Sequence, residues 1–259
     1  MPPIVKSAAE LSAAARANRW RGTTAGHCPG NQQANLVILP AAAAAQFAAF
    51  CTRNPQPCPL IEITPPGDPR PIRSAPAADL RTDLPGYRVY RQGELVEKRS
   101  DIRDLWRDDL VAFLLGCSFT FEHALIEAGV RVRNIELGTI VPMFISNRQC
   151  VAAGRFHGPI VVSMRPIAKS RIDEVVALSG RYPHAHGSPL QIGDPAALGI
   201  ADVAQPDFGE PVPLDPEELP VFWACGVTPQ AVAQQAKIEL MISHEPGQMF
   251  VTDLPRAGG

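Results

Sequence analysis

The stretch Pro220-Val-Phe-Trp-Ala-Cys-Gly-Val-Thr-Pro-Gln230 joins an apolar run to the expected start of a helix. Val221 to Ala224 are typical of a buried central strand, and Gly226 allows the backbone to turn sharply. Thr228 is predicted to be the N-cap of the helix and Pro229 its first residue. Helix starts bind anions, and open α/β sheets bind ligands beyond the carboxyl ends of their strands. The stretch therefore predicts a carboxylate or phosphate site; the alternative is an ordinary strand-to-helix connection.

Composition and charge favour a globular protein with a small-molecule partner. The chain has 259 residues, 46% of them hydrophobic, and a formal net charge of -2. This length is sufficient for one large core or two small ones. Lysine and arginine form no basic cluster, which argues against a nucleic-acid surface. No apolar run approaches ~18 residues and no hydrophobic signal core opens the chain, so we expect a cytoplasmic protein without membrane contact.

Cysteine and histidine spacing predicts neither disulfides nor a metal site. The six cysteines, at positions 28, 51, 58, 117, 150 and 225, include no Cys-x-x-Cys pair, so reduced thiols are expected. His184 and His186 lie two residues apart, and His244 is a distant third candidate ligand. This spacing is not diagnostic of a metal site. We therefore expect no metal and no cofactor.

The first part of the chain predicts strands alternating with helices. Ser7 begins an amphipathic helix with a capping box, Leu36 to Leu39 form a strand, and Pro40 begins an alanine-rich helix. Leu60 to Ile63 predict a second strand. A β-hairpin is expected around Gln92-Gly93 because the flanking side chains alternate.

The middle of the chain predicts a different layer. Asp108 to Leu115 are interpreted as a short helix because Gly116 follows, and Ser118 begins another helix that continues to Gly129. After Gly129 the pattern changes to that of a small α+β unit. Short strands are predicted at 134–137, 141–145, 159–164 and 190–192, and a helix at 169–178.

Together these elements predict an α/β fold with two lobes. The larger lobe, residues 1–118 and 205–259, is expected to be a three-layer α/β/α sandwich. The smaller lobe, residues 119–204, is expected to be a two-layer α+β unit with the pocket between it and the larger lobe. Leu36 to Leu39 and Val221 to Ala224 are expected to share the sheet of the larger lobe.

Six blocks of sequence carry a resemblance to a known family. They are Gln33–Pro40, Asn54–Pro59, Asp79–Pro85, Leu115–Phe119, Val161–Pro166 and Phe222–Gln230. In this order the blocks resemble the bacterial "putative hydro-lyase" family related to D-glutamate cyclase, over roughly Ser7 to Leu254. The resemblance implies a lyase that closes D-glutamate, or a related acidic amino acid, to 5-oxo-D-proline with loss of water.

The residue types suggest catalytic candidates for such a reaction. Forming a lactam requires a neutral amine, a proton donor for the departing hydroxyl, and donors to the tetrahedral intermediate. Cys117 and Cys225 each lie beside a glycine and a helix start, a setting that lowers thiol pKa. Either thiol is therefore a candidate to carry protons or to form a thioester. The alternative is that each is an inert buried residue. Glu122 is a candidate acid and His244 a candidate acid–base group. A simple helix-dipole role is the alternative for Glu122.

Other residues are candidates for binding the substrate. Arg165, at the end of a predicted strand, is expected to hold a carboxylate in a bidentate contact; the alternative is a structural arginine. The remaining binding candidates are hydrogen-bonding side chains at predicted turns and helix starts. They are Asn35, Ser118, His186, Thr228 and Gln230.

Two other functional classes remain open. A cysteine-dependent amidase or hydrolase would use Cys225 with His244. A noncatalytic amino-acid-binding protein would keep Arg165 and the helix start but would not need the proton carriers. The sequence does not decide whether the chain forms a homo-oligomer.

Overall fold

Two β-sheets with flanking helices organise the computed structural model, which describes residues 4–256. The helices are α1 (Ala8–Arg16), α2 (Ala41–Arg53), α3 (Phe119–Glu127), α4 (Arg133–Leu137), α5 (Ile172–Gly180) and α6 (Val227–Gln235). The strands are β1 (Asn31–Pro40), β2 (Leu60–Ile63), β3 (Tyr87–Arg91), β4 (Glu94–Arg99), β5 (Leu110–Gly116), β6 (Met143–Gln149), β7 (Pro159–Ala168), β8 (Gln191–Ile192), β9 (Glu218–Ala224), β10 (Met241–His244) and β11 (Phe250–Pro255). The α/β class and the presence of two sheets confirm the predicted fold class.

The larger sheet has seven strands in the order β2-β5-β1-β10-β3-β4, and β11 also pairs with β1. One face of β1 and β5, including Val37 and Phe113, packs against Phe47 and Phe50 of α2. The opposite face packs against residues of the proline-rich loop between β2 and β3, such as Leu80. Both central strands are thus buried on two sides, which explains their continuous apolar sequences.

The smaller sheet has four strands in the order β6-β7-β9-β8. On one of its faces, Trp223 of β9 packs with Phe121 of α3 and Val175 of α5. On the other face, Phe222 packs with Phe144 of β6. The strand pairings of both sheets are antiparallel. The rule that ligands bind beyond the carboxyl ends of the strands applies to open parallel sheets, so it does not locate the site here.

The expected sheet membership of the opening stretch is wrong. Val221 to Ala224 lie in β9, where Val221 pairs with Arg165 and Ala224 with Val162 of β7. Leu36 to Leu39 lie in β1 of the seven-stranded sheet. An apolar run indicates that a strand is buried but does not specify its partner, because strand pairing is a long-range contact.

Two predicted elements have the wrong type. Residues 110–116 form β5 instead of a helix, and the strand pairs with β1 from Ala34 to Pro40. A strand buried on both faces loses its alternation and cannot be told from a buried helix by pattern. Residues 133–137 form α4 instead of a strand, and Gly138 ends it in the left-handed conformation at φ 70°.

Capping and turn residues predict local structure correctly in two places. Ser7 caps α1, and its hydroxyl accepts a hydrogen bond from the Glu10 N–H at 3.5 Å. Gln92 and Gly93 both have positive φ, at 52° and 85°, as a two-residue hairpin turn requires. No helix among residues 4–256 is long and apolar enough to cross a membrane.

Candidate active site

Two strand-to-helix connections, one from each sheet, line the same cavity. The first joint, residues 116–119, leads from the end of β5 through Cys117 into α3. The second joint, residues 224–227, leads from the end of β9 through Cys225 into α6. The cavity is also lined by Asn35, Ile140, Val141, Met143, His186, Gln230, His244, Pro246, Gly247 and Met249. Seven of the ten sequence-predicted site residues therefore meet in one place: Asn35, Cys117, Ser118, His186, Cys225, Gln230 and His244.

The cavity is narrow in this structure. Its volume is about 40 Å³, which is room for only about three water molecules. Two of its walls come from connections between elements: residues 140–142 with Met143, the first residue of β6, and residues 246–249 between β10 and β11. We expect these two connections to move apart when a ligand as large as an amino acid binds.

The two helix starts give the cavity a positive electrostatic character. The first N–H groups of a helix have no acceptor within the helix, and here they belong to Phe119 in α3 and Val227 in α6. Each helix start also carries a partial positive charge from the aligned peptide dipoles. The cavity is thus suited to a ligand that carries negative charge at two ends.

Burial controls the protonation of both thiols. Cys117 is 7% exposed and Cys225 is 9% exposed. Burial raises the pKa of Cys117 well above its ordinary value, although the Phe119 N–H lowers it in part. Burial likewise raises the pKa of Cys225 against the effect of the Val227 N–H. The expected depression of the thiol pKa is therefore wrong, because desolvation outweighs the helix starts, and both thiols are protonated at neutral pH.

Asn35 connects the two joints. Its Nδ2 donates a hydrogen bond to the carbonyl oxygen of Gly116 at 2.8 Å. The same side chain lies against Gly226 so closely that a Cβ atom there would overlap its amide group. Glycine is therefore required in the second joint by this contact, since its φ of -65° suits any residue.

Gly226→Ala should lower the free energy of unfolding by about 1–3 kcal/mol, because the new methyl group displaces Asn35 from its hydrogen bond. Urea unfolding measures the change. Gly30→Ala is the matched control, because a Cβ at Gly30 meets no atom within 4 Å. The double variant Asn35→Ala with Gly226→Ala should lose less free energy of unfolding than the sum of the losses in the two single variants. Equal stability of the Gly226 and Gly30 variants would contradict this contact.

Both histidines of the cavity are neutral at pH 7. Burial lowers the pKa of His186 and of His244 to about 4. His244 Nδ1 accepts a hydrogen bond from the Leu36 N–H at 3.1 Å, which leaves the proton on Nε2. His186 Nδ1 donates to the Gln56 carbonyl oxygen at 2.8 Å. His244 is therefore a hydrogen-bond donor at neutral pH and a poor base.

Protein stability should fall as the pH drops from about 6.5 to about 4. In this range the unfolded chain binds protons on His186 and His244 that the folded chain does not, so acid favours unfolding. Each histidine changes the free energy of unfolding by up to about 3 kcal/mol. This stability is fully present above pH 6.5, the ordinary pKa of histidine, and it is lost as the pH falls to about 4. His244→Gln should lose less stability than the wild type between pH 7 and pH 4.5 in urea unfolding. His157→Gln, at an exposed position, is the control and should keep the wild-type pH dependence.

Arg165 and Glu122 form a buried ion pair behind Ser118. Arg165 Nε donates to Glu122 Oε1 at 2.9 Å, Nη2 contacts the same oxygen, and Nη2 also donates to Ser118 Oγ at 2.9 Å. The guanidinium carbon lies 5.4 Å from the ring centroids of both Phe121 and Trp223. The carboxylate contact expected for Arg165 is thus made within the protein, to Glu122.

The pair changes the roles that these residues can have. Glu122 Oε2 is buried without a hydrogen-bond partner among the described residues. Glu122 Oε1 already accepts hydrogen bonds from the Arg165 guanidinium, so this oxygen is engaged within the protein and does not face a ligand. Because Ser118 is the residue before α3, the contacts of Arg165 fix the start of that helix against β7. We assign both residues a supporting role.

Thr228 has a structural contact that its sequence position did not predict. The N-cap of α6 is Gly226, and Thr228 lies within the first turn. Its hydroxyl accepts a hydrogen bond from the Val161 N–H at 2.9 Å and donates to the Val161 carbonyl oxygen at 3.2 Å. The N-cap prediction is wrong because β7, and not the helix, takes the hydroxyl. Thr228 thereby ties α6 to the smaller sheet.

Some lining residues were not found by sequence reasoning. Met143 has no chemical signature, yet its Sδ lies 3.5 Å from Cys225 Sγ. Phe119 and Met249 form a small apolar cluster with Cys117. His244 is the one sequence-predicted site residue in the wall that also contains Pro246, Gly247 and Met249. Among residues 4–256, no group of three or more His, Cys, Asp or Glu side chains is arranged to hold a metal ion.

Comparison with known proteins identifies close relatives of this chain. The profile of the D-glutamate cyclase family matches residues 111–253, a range that contains both joints. The chain is 56% identical to a "Putative hydro-lyase" of Geobacillus kaustophilus, covering 92% of this chain and 91% of that protein. It is also 56% identical to a "Putative hydro-lyase" of Rubrobacter xylanophilus, covering 95% of each chain. A similarly named protein of Stutzerimonas stutzeri is 54% identical, covering 96% of this chain and 94% of its own.

A comparison with solved structures gave a more distant likeness. A nitrogen repressor-like protein from Methanococcus jannaschii covers 93% of each chain at 9% identity, with a TM-score of 0.40.

Proposed function

Since this chain belongs to the D-glutamate cyclase family, we propose that it closes D-glutamate, or a closely related acidic amino acid, to 5-oxo-D-proline with loss of water. The observation that supports this substrate class most strongly is the convergence of two helix starts on one cavity. A dicarboxylate places one carboxyl group at each helix start.

Binding at both ends also folds the substrate. Glutamate forms a five-membered ring when its amine reaches the side-chain carboxyl carbon, so an extended conformation is unreactive. The two joints lie on the walls of a single narrow cavity, which forces the carboxyl groups to approach each other. Holding the reacting groups close in this way lowers the entropic part of the barrier.

We place the side-chain carboxyl at the second joint, because additional donors lie there. Gln230 is in the first turn of α6, and its Nε2 lies 2.9 Å from His244 Nδ1. The Val227 N–H and the neutral His244 are then donors to the oxygen of the tetrahedral intermediate. The α-carboxylate is placed at the first joint, near the Phe119 N–H.

Cys225 supplies the proton in this scheme. The substrate ammonium first gives one proton to the side-chain carboxylate, which produces a neutral amine and a carboxylic acid. The amine then attacks the carboxyl carbon, and the hydroxyl group leaves as water with the proton of the thiol. The resulting thiolate takes the proton that the nitrogen loses, so the thiol is restored after each turnover. Because burial keeps this thiol protonated at neutral pH, its proton is present when the substrate binds.

The amidase alternative has less support from the geometry. A cysteine nucleophile requires a histidine base within hydrogen-bond reach. His244 Nδ1 instead accepts from Leu36, and burial lowers the pKa of this histidine to about 4.

Chiral chromatography with mass spectrometry tests the proposal. The protein is incubated separately with D-glutamate, L-glutamate and D-glutamine, and 5-oxoproline is quantified. We expect D-glutamate to give 5-oxo-D-proline, with L-glutamate a poorer substrate. Release of D-glutamate and ammonia from D-glutamine, without 5-oxoproline from D-glutamate, would establish the amidase. Thermal stabilisation by D-glutamate without any product would indicate a binding protein.

A further inference from the structure

The cavity contains one more proton carrier than the proposed cyclisation needs. Cys117 and Cys225 come from different sheets, and both lie between a strand end and a helix start. They are close enough that a negative charge on Cys225 raises the pKa of Cys117. The scheme above uses only Cys225, so the equivalent setting of Cys117 is unexplained.

We propose that Cys117 and Cys225 act as a pair that exchanges the α-proton of the bound amino acid, so that the protein also interconverts the enantiomers of its substrate. The proposal rests on the proposed function only for the substrate class, an acidic amino acid. It concerns a bond to Cα that cyclisation does not break.

The placement of the substrate supports this second reaction. With one carboxyl group at each helix start, Cα lies between the two joints, and each joint contributes one thiol to the cavity wall. The α-carboxylate accepts the developing negative charge when the α-proton leaves, and the Phe119 N–H stabilises that charge. Removing a proton from one face of Cα and returning a proton to the other requires two proton carriers, and the two joints supply one thiol each.

The protons balance without an additional reactant. The neutral substrate amine first takes the proton of one thiol, which gives a thiolate and an ammonium group that makes the α-proton more acidic. The thiolate then takes the α-proton, and the electrons of the C–H bond move into the carboxylate. The second thiol donates its proton to the opposite face of Cα, which inverts the configuration. The ammonium group finally returns its proton to the second sulfur, and both thiols are restored.

The supporting residues fit this scheme. Arg165 lowers the pKa of both thiols by its positive charge, although burial dominates. Glu122, the other charged group behind the joints, raises the pKa of both. Both charged groups are therefore close enough to act on both thiols, which places the two thiols in one electrostatic environment.

Deuterium exchange tests the proposal. The wild-type protein is incubated in D₂O with D-glutamate or with L-glutamate, and recovered substrate is analysed by mass spectrometry and chiral chromatography. We expect deuterium at Cα and the appearance of the opposite enantiomer. Absence of α-deuterium in wild-type reactions overturns the proposal whether or not 5-oxoproline forms. Conversely, exchange without 5-oxoproline supports the proposal while refuting the cyclisation.

Single-thiol variants provide a second, independent reading. Cys117→Ala and Cys225→Ala should each slow interconversion of the enantiomers at least 100-fold. Each variant should still exchange the α-proton of one enantiomer, and the enantiomer should differ between them, because one thiol remains on one face. Cys150→Ala, a buried thiol outside the cavity, is the matched control and should behave as the wild type. Interconversion at the wild-type rate in either cavity variant would overturn the pairing.

Discussion

Cys225→Ala should lower the rate of 5-oxo-D-proline formation about 100-fold or more, while the melting temperature stays within a few degrees of the wild type. Alanine removes the proton donor and the sulfur contact with Met143, but it keeps a small apolar residue in the cluster with Val141 and Val161. The rate is measured by product formation under saturating D-glutamate, and the melting temperature by calorimetry.

Matched variants separate loss of the proton from loss of packing. Cys150→Ala removes a buried thiol of the larger core and should leave turnover unchanged. Cys225→Ser keeps a hydroxyl in the same place, but an alcohol is a far weaker acid, so most of the loss should persist. Retention of most activity in Cys225→Ala would show that Cys225 is only a small core residue, and Cys117 would become the leading proton donor.

Arg165→Met should lower the free energy of unfolding by about 3–5 kcal/mol, because it leaves the Glu122 carboxylate buried without its partner. The methionine side chain fills part of the space between Phe121 and Trp223 but donates no hydrogen bond. Urea unfolding at pH 7 measures the loss.

Two further variants identify the cause. Arg165→Met combined with Glu122→Leu should recover much of the lost stability, since an apolar pair replaces the unpaired charge. Arg171→Met, which breaks an exposed pair with Glu174, should change stability little. If Arg165→Met were as stable as the wild type but bound D-glutamate more weakly, then Arg165 would bind the ligand directly and the supporting role would be wrong.

Neighbouring residues in the sequence predict the turns and helix starts that line the cavity. They do not predict which strands and sheets surround it, because those contacts are long-range. The strand, turn and helix around Cys225 follow from a few neighbouring residues, and so does the helix start after Cys117. The pairing of β9 with β7, by contrast, joins residues about 60 positions apart. No local pattern distinguishes a central strand of one sheet from that of another.

The same limit applies to the chemistry of individual side chains. Arg165 was predicted to bind a ligand carboxylate because a guanidinium fits one, but the sequence does not reveal that Glu122 is the nearer carboxylate. The thiol pKa was predicted from the helix starts alone. Burial raises the thiol pKa instead of lowering it. This burial follows from the three-dimensional structure, in which β5 and β9 end at one cavity.

A crystal structure of the Cys225→Ala variant with D-glutamate would show whether the two helix starts bind the two carboxyl groups of the substrate. We expect the ligand between the two joints, with one carboxyl group within hydrogen-bond distance of the Phe119 N–H and the other near the Val227 N–H. We also expect residues 140–143 and 246–249 to lie further apart than in the narrow cavity described above. D-glutamate bound in another cleft, or held in this one by a single carboxylate with the other in solvent, would show that the two helix starts do not form the substrate site.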